Sequence, residues 1–151
     1  MNESRAVQGK RLFATDISGT VGADRPQVDV QWRAGTLLID EPTSNGGQDL
    51  GPDPFTLIVA GLIGCTLTTM RLYIRRKGWP IDDIRVYANM VQQRVPLQTI
   101  ILRTIEIGQP VTDEQSERLL YIAKNCPAAR LLEGEIVIDT VLDGTFSGQG
   151  T

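Results

Sequence analysis

Two cysteines carry the chemistry open to this chain of 151 residues. Cys65 lies inside the apolar run LIVAGLIGCTLTTM, and Cys126 stands directly before a proline in NCPAARLL. The sequence holds no histidine. That removes a Ser-His-Asp triad, a Cys-His pair and any His-ligated zinc site. Two thiols alone are too few to close a structural zinc site. Packing, a disulfide or redox chemistry remain open to them. A thiolate, not a thiol, attacks the O–O bond of a peroxide, and burial among apolar side chains works against the thiolate. A cation must therefore approach Cys65 if it is reactive, and arginine is the best candidate because it stays charged. Attack leaves a sulfenic acid, which a second thiol condenses to a disulfide before further oxidation. Two thiols and one arginine suffice for that sequence of steps.

The elements that must position these residues are legible in the pattern. QVDVQW alternates Val28, Val30 and Trp32 against Gln27, Asp29 and Gln31, and GTLLID follows a turn at Ala34-Gly35. Together with the turn-dense SGTVGADRP, residues 11–40 read as an antiparallel meander. DEPTSNGGQDLGPDP is a loop without an apolar period, and it ends at Asp53, a helix N-cap, with Pro54 at the first helical position. The helix runs to Lys77; Arg71, Arg75, Arg76 and Lys77 crowd its end, where cations oppose the negative pole of the helix. Gly78 suits the C-terminal cap and Pro80 prevents continuation. IRVYANMV and TIILRTIEIG read as a hairpin, with Ile101, Ile105 and Ile107 sharing a face with Arg103. TDEQSERLLYIAKN is a second helix, opened by a Thr112–Gln115 capping box. Pro127 disfavours helical geometry at Cys126, which places that thiol at a helix end or turn. EIVIDTVL reads as a closing strand. Strands and helices are partly segregated, so the fold class is α+β with mainly antiparallel sheets.

Composition sets the outer limits. The length suits one domain over 1–151, with 1–10 and 143–151 expected to be flexible. A net charge of −3 gives no nucleic-acid footprint. The uncharged run from Pro54 to Met70 is shorter than a typical membrane span and contains Gly61 and Gly64, so a helix buried in a soluble protein is expected, with no membrane partner. MNESRAVQGK is polar and does not read as a secretory signal; a cytoplasmic location is expected, where a purely structural disulfide is rare.

The stretch DEPTSNGGQDLGPDPFTLIVAGLIGCTLTTMRLYIRRKGWPIDDIRV resembles the signature of the OsmC/Ohr family, the osmotically inducible and organic hydroperoxide resistance proteins. Its marks are a Gly-Pro-x-Pro entry, a helix of small and apolar residues bearing a cysteine, and a Lys-Gly-Trp-Pro exit. LLYIAKNCPAARLL is similar to the second signature, a helix ending in Cys-Pro. The resemblance implies an intertwined homodimer with sheets wrapped around two central helices. It implies thiol-dependent reduction of organic hydroperoxides, with Cys65 as the peroxidatic and Cys126 as the resolving cysteine. Re-reduction would come from a dithiol such as dihydrolipoamide, and neither a cofactor nor a metal is called for. The activating arginine of the family comes from the N-terminal strand region, where Arg25 in GADRPQ matches by distance, with Arg33 and Arg11 as alternatives. The family's acid, either ten residues before the peroxidatic cysteine or one residue later, is replaced here by Phe55 and Thr56. Two other readings stay open: a redox sensor with slow turnover, and a non-catalytic dimer that binds a small lipophilic ligand.

Overall fold

The computed structural model describes residues 9–142 and 144. The flexibility expected of 1–10 and 143–151 therefore falls almost wholly outside the described residues. The chain divides into two compact units, with the boundary between Ala60 and Gly61.

The first unit holds a three-stranded antiparallel meander, β1 (Ser18–Val21), β2 (Val28–Trp32) and β3 (Gly35–Ile39), in that spatial order. Val28 pairs with Ile39 and Val30 with Leu37, which places these apolar residues together on one face of the meander. SGTV, read as part of a turn, is a short edge strand. The loop that follows is organised by one carboxylate. Asp40 is 2% exposed. Its Oδ2 accepts from Gln27 Nε2 at 3.1 Å and from the amides of Gln48 at 3.1 Å and Leu50 at 3.0 Å, while Oδ1 accepts from the Glu41 amide at 2.8 Å. Burial pushes the Asp40 carboxyl up, but these hydrogen bonds outweigh it and hold its pKa below 3.8. Gly47 belongs to the same arrangement, because a Cβ there would collide with the Glu41 carbonyl.

Asp53 caps the long helix α1 (Pro54–Lys77) as its position before Pro54 suggested. Its Oδ1 accepts from the amides of Phe55 at 2.9 Å and Thr56 at 3.0 Å, and the Thr56 hydroxyl donates to its Oδ2. By length and composition α1 could cross a membrane, with a mean hydropathy of 1.7. It nevertheless buries one stripe inside the chain: Leu62, Thr66, Met70, Tyr73 and Ile74, at three- and four-residue spacing. Its end is a Schellman motif. Gly78 has φ 65° and donates to Arg75 O at 3.1 Å, Trp79 donates to Ile74 O at 3.1 Å, and the Trp79 ring meets Tyr73 edge-on at 5.6 Å.

In the second unit β4 (Ile84–Gln93) and β5 (Gln98–Ile107) form an antiparallel hairpin. Its half-buried face carries Ile84, Val86, Ala88 and Met90 on one strand and Ile101, Arg103, Ile105 and Ile107 on the other. Helix α2 (Asp113–Lys124) begins with the expected capping box: Thr112 Oγ1 accepts from the Gln115 amide at 3.1 Å, and Gln115 Oε1 accepts from the Thr112 amide at 3.0 Å. Met70, Tyr73, Ile74, Ile81, Leu119 and Ala123 make the main core.

Cys126 stands at a helix end, as expected: it opens a third helix, α3 (Pro127–Glu133), with Pro127 at its first position, where a missing N–H costs nothing. One sequence expectation is corrected. The closing strand does not form: residues 135–142 make no ladder. Ile138 is 84% and Leu142 95% exposed, so the apolar pattern is left without a partner strand among the described residues.

Candidate functional site

The structure brings Cys65 and Cys126 into one small cluster with Leu62 and Ala129, against which Ile101 and Leu132 pack. Both thiols are free. Cys65 lies one residue before Thr66 of the buried stripe, a turn of about 100° around the helix. It is therefore only half-buried, whereas Cys126 is fully buried. Cys126 is the N-cap of α3, held extended (φ −63°, ψ 150°) by the proline that follows. Pro127 offers no amide, and the next amide, Ala128 N, donates to Cys65 Sγ at 3.4 Å.

The arginine at this cluster is Arg103. Its Nη1 donates to Thr66 Oγ1 at 2.8 Å and reaches Cys126 Sγ at 3.9 Å. Thr66 Oγ1 also donates to Leu62 O at 2.7 Å and lies 3.7 Å from Cys126 Sγ. The small Ala88 sits opposite Arg103 in the hairpin register. Burial pushes the Cys126 thiol up, yet the Ala129 amide, the Thr66 hydroxyl, the Cys65 thiol and the Arg103 guanidinium together prevail, and its pKa falls below the ordinary 9.0.

The three arginines singled out from the sequence lie in the first unit and have partners there. Arg25 pairs with Asp29 at 2.7 Å, Arg11 with Asp16 at 3.0 Å, and the Arg33 guanidinium stacks over Trp32 at 5.4 Å. The nearby acids are also engaged: Asp53 caps α1, and Glu41 accepts from Asn45 Nδ2 at 3.4 Å. Phe55, at the position of the family's acid, is 57% exposed. Among the described residues no group of three or more Cys, Asp or Glu side chains is placed to hold a metal ion.

Arg103 is the functional candidate that sequence reasoning missed. The signal was present in Ile101-x-Arg103-x-Ile105-x-Ile107, where a cation interrupts the apolar face of a strand. A charge on such a face calls for a polar partner inside the fold.

A mixed α+β chain with antiparallel sheets and a pair of thiols between helices is the class of protein these features define. The OsmC-like protein family matches residues 46–141, and the chain belongs to that family. Among solved structures, an osmotic stress induced and detoxification response protein from Psychrobacter arcticus aligns with a TM-score of 0.67 at 20% identity, covering 83% of this chain and 90% of that one. An organic hydroperoxide resistance protein OsmC from Legionella pneumophila gives 0.62 at 19%, covering 83% and 93%. The organic hydroperoxide resistance protein OhrB of Bacillus subtilis gives 0.55 at 18%, covering 82% and 93%. At these identities the likeness is one of fold. No curated protein matches the chain.

Proposed function

We propose that this chain is a thiol-dependent peroxidase that reduces organic hydroperoxides. The observation that carries this reading is the meeting of two free thiols, one half-exposed and one buried, in a single cluster beside a guanidinium. Cys65 is the sulfur open to a substrate. Its thiolate attacks one peroxide oxygen, the O–O bond breaks, the alkoxide leaves with a proton from water, and Cys65 becomes a sulfenic acid. Cys126 then attacks the Cys65 sulfur, expels hydroxide and closes a disulfide. An external dithiol reopens it and is itself oxidised to a disulfide. Membership of the OsmC-like family and folds shared with hydroperoxide resistance proteins support a role in peroxide stress. Arg25, matched only by its distance before Cys65, is the proposed activator of the first step, and a homodimer in the cytoplasm is the proposed working form.

A redox sensor with slow turnover is the second reading. Phe55 and Thr56 stand where the family carries its acid, and the nearby carboxylates of Asp53 and Glu41 already serve a helix cap and a loop. Stopped-flow oxidation of the reduced protein by cumene hydroperoxide tests both. Oxidation far faster than that of free cysteine at the same pH, with loss of two thiols per chain, is expected of the peroxidase. Oxidation to the disulfide without sustained turnover under excess dithiol favours the sensor. Thiols left intact by stoichiometric hydroperoxide would sink both.

A further inference from the structure

Arg103 has no part in the chemistry drawn so far, yet its setting needs an explanation. It is a half-buried cation on an otherwise apolar strand face. Among the described residues the ion pairs are Arg11–Asp16 and Arg25–Asp29, and Arg103 is in neither. Its acceptors are a hydroxyl, Thr66 Oγ1, and a sulfur, Cys126 Sγ. Desolvating a guanidinium is costly unless an anion or strong acceptors compensate it. The group in reach that can become an anion is Cys126.

The surroundings of Cys126 agree. From α1 it faces Cys65 and Thr66, from β5 Arg103, and from the start of α3 the Ala129 amide. Arg103 is the charged group among these and Cys65 the other titratable one. Carboxylates are absent from this set, so nothing in it opposes a negative sulfur.

We propose that Arg103, braced by Thr66, is the positioning residue of the second half-reaction and presents the Cys126 sulfur to oxidised Cys65 as an anion. This rests on the peroxidase reading above and deepens it. Thiol exchange and sulfenic acid capture both run through the thiolate, so the fraction of Cys126 in that form sets how fast the disulfide closes. In the step itself the Cys126 thiolate supplies the electron pair, the S–S bond forms, the S–O bond of the Cys65 sulfenic acid breaks, and the hydroxide that leaves is neutralised by the proton Cys126 gave to solvent on ionising. Arg103 touches neither peroxide nor product. It decides between closure and a second peroxide oxidation of Cys65 to the sulfinic acid.

The test uses the full chain. In Cys65→Ser protein, thiolate ultraviolet absorbance followed against pH reads Cys126 alone. The expected midpoint lies below that of an ordinary thiol. It moves up in Cys65→Ser/Arg103→Gln and returns most of the way in Cys65→Ser/Arg103→Lys, with circular dichroism unchanged. A merely structural Arg103 would not show this recovery by charge. In the otherwise wild-type chain, one equivalent of cumene hydroperoxide should oxidise Arg103→Gln at the normal first rate. Disulfide closure should then slow on the order of tenfold, with sulfinic acid accumulating at Cys65. A midpoint in Cys65→Ser protein at the ordinary thiol value overturns the proposal even if no Arg103 variant folds, and so does a midpoint that Arg103→Gln leaves in place. If the wild type ignores hydroperoxide, the peroxidase reading fails, while the claim on Arg103 is still decided by the titration.

Discussion

The Arg103 guanidinium donates to the Thr66 hydroxyl at 2.8 Å, joining the hairpin to the long helix one residue beyond Cys65. This bond fixes a cation at the meeting point of two thiols that stand far apart in the sequence. The two sulfurs differ in exposure: Cys65 is half-buried, Cys126 enclosed and surrounded by donors.

Replacing each thiol in turn should give different failures. Cys65→Ser abolishes hydroperoxide turnover and leaves the fold intact, because the change is nearly isosteric. Cys126→Ser permits one oxidation per chain and then stalls or proceeds to sulfinic acid at Cys65. Peptide mass mapping after mild cumene hydroperoxide treatment checks both, and in the wild type it should find a Cys65–Cys126 link within one chain. A wild-type product with only sulfinic acid at Cys65 would contradict a resolving role for Cys126.

Arg25→Ala should slow the first oxidation of Cys65 while leaving the rate of disulfide closure unchanged, the reverse of the expected Arg103→Gln behaviour. Stopped-flow traces that resolve the two steps make the comparison. If Arg33→Ala slows the first step and Arg25→Ala does not, Arg33 takes the role and the sequence of steps survives.

Asp40 makes stability depend on acid pH. Its folded pKa lies below the ordinary 3.8, so its contribution is complete above that value and is lost as pH falls through the folded value. Melting temperature should therefore drop more steeply below pH 3.8 in the wild type than in Asp40→Asn. At neutral pH Asp40→Asn should melt lower, because three of the four donors converge on Oδ2, and an amide cannot accept from all of them. Equal melting curves at pH 7 would remove Asp40 from this role.

Thr112→Ala should cost about 1 kcal/mol by removing the acceptor of the Gln115 amide at the start of α2. Urea titration should show a lower midpoint with an unchanged slope.

A homodimer should be the folded species in solution. Ile58, Leu72, Ile138 and Leu142 are exposed within a single chain, and burying apolar surface contributes roughly 25 cal/mol per Å². Light scattering at micromolar concentration reads the mass directly, and a well-folded monomer there would defeat the expectation.

Much of this was legible because the signals were local. Asp53-Pro54, Gly78-x-Pro80 and Thr112-x-x-Gln115 mark helix ends through hydrogen bonds made within a few residues, and each was found where the sequence put it. The hairpin followed from its two-residue alternation. What escaped was non-local. The partner of Arg103 lies 37 positions away on another element, so the sequence shows only an arginine out of place on an apolar face. The segment 135–142 failed in the opposite sense: its alternation is compatible with a strand but does not make one, since a strand also needs a neighbour to pair with.

The Thr66 hydroxyl has a single hydrogen, and in this structure it goes to Leu62 O at 2.7 Å. A protonated Cys126 leaves that arrangement alone, because its own S–H can point at Thr66 Oγ1. A thiolate has no hydrogen to give and competes for the one on Thr66. Granting it costs the helix little, since Leu62 O keeps the amide of Thr66 four residues on. The site can thus change its charge by rotating one hydroxyl, with every backbone atom of α1 left in place.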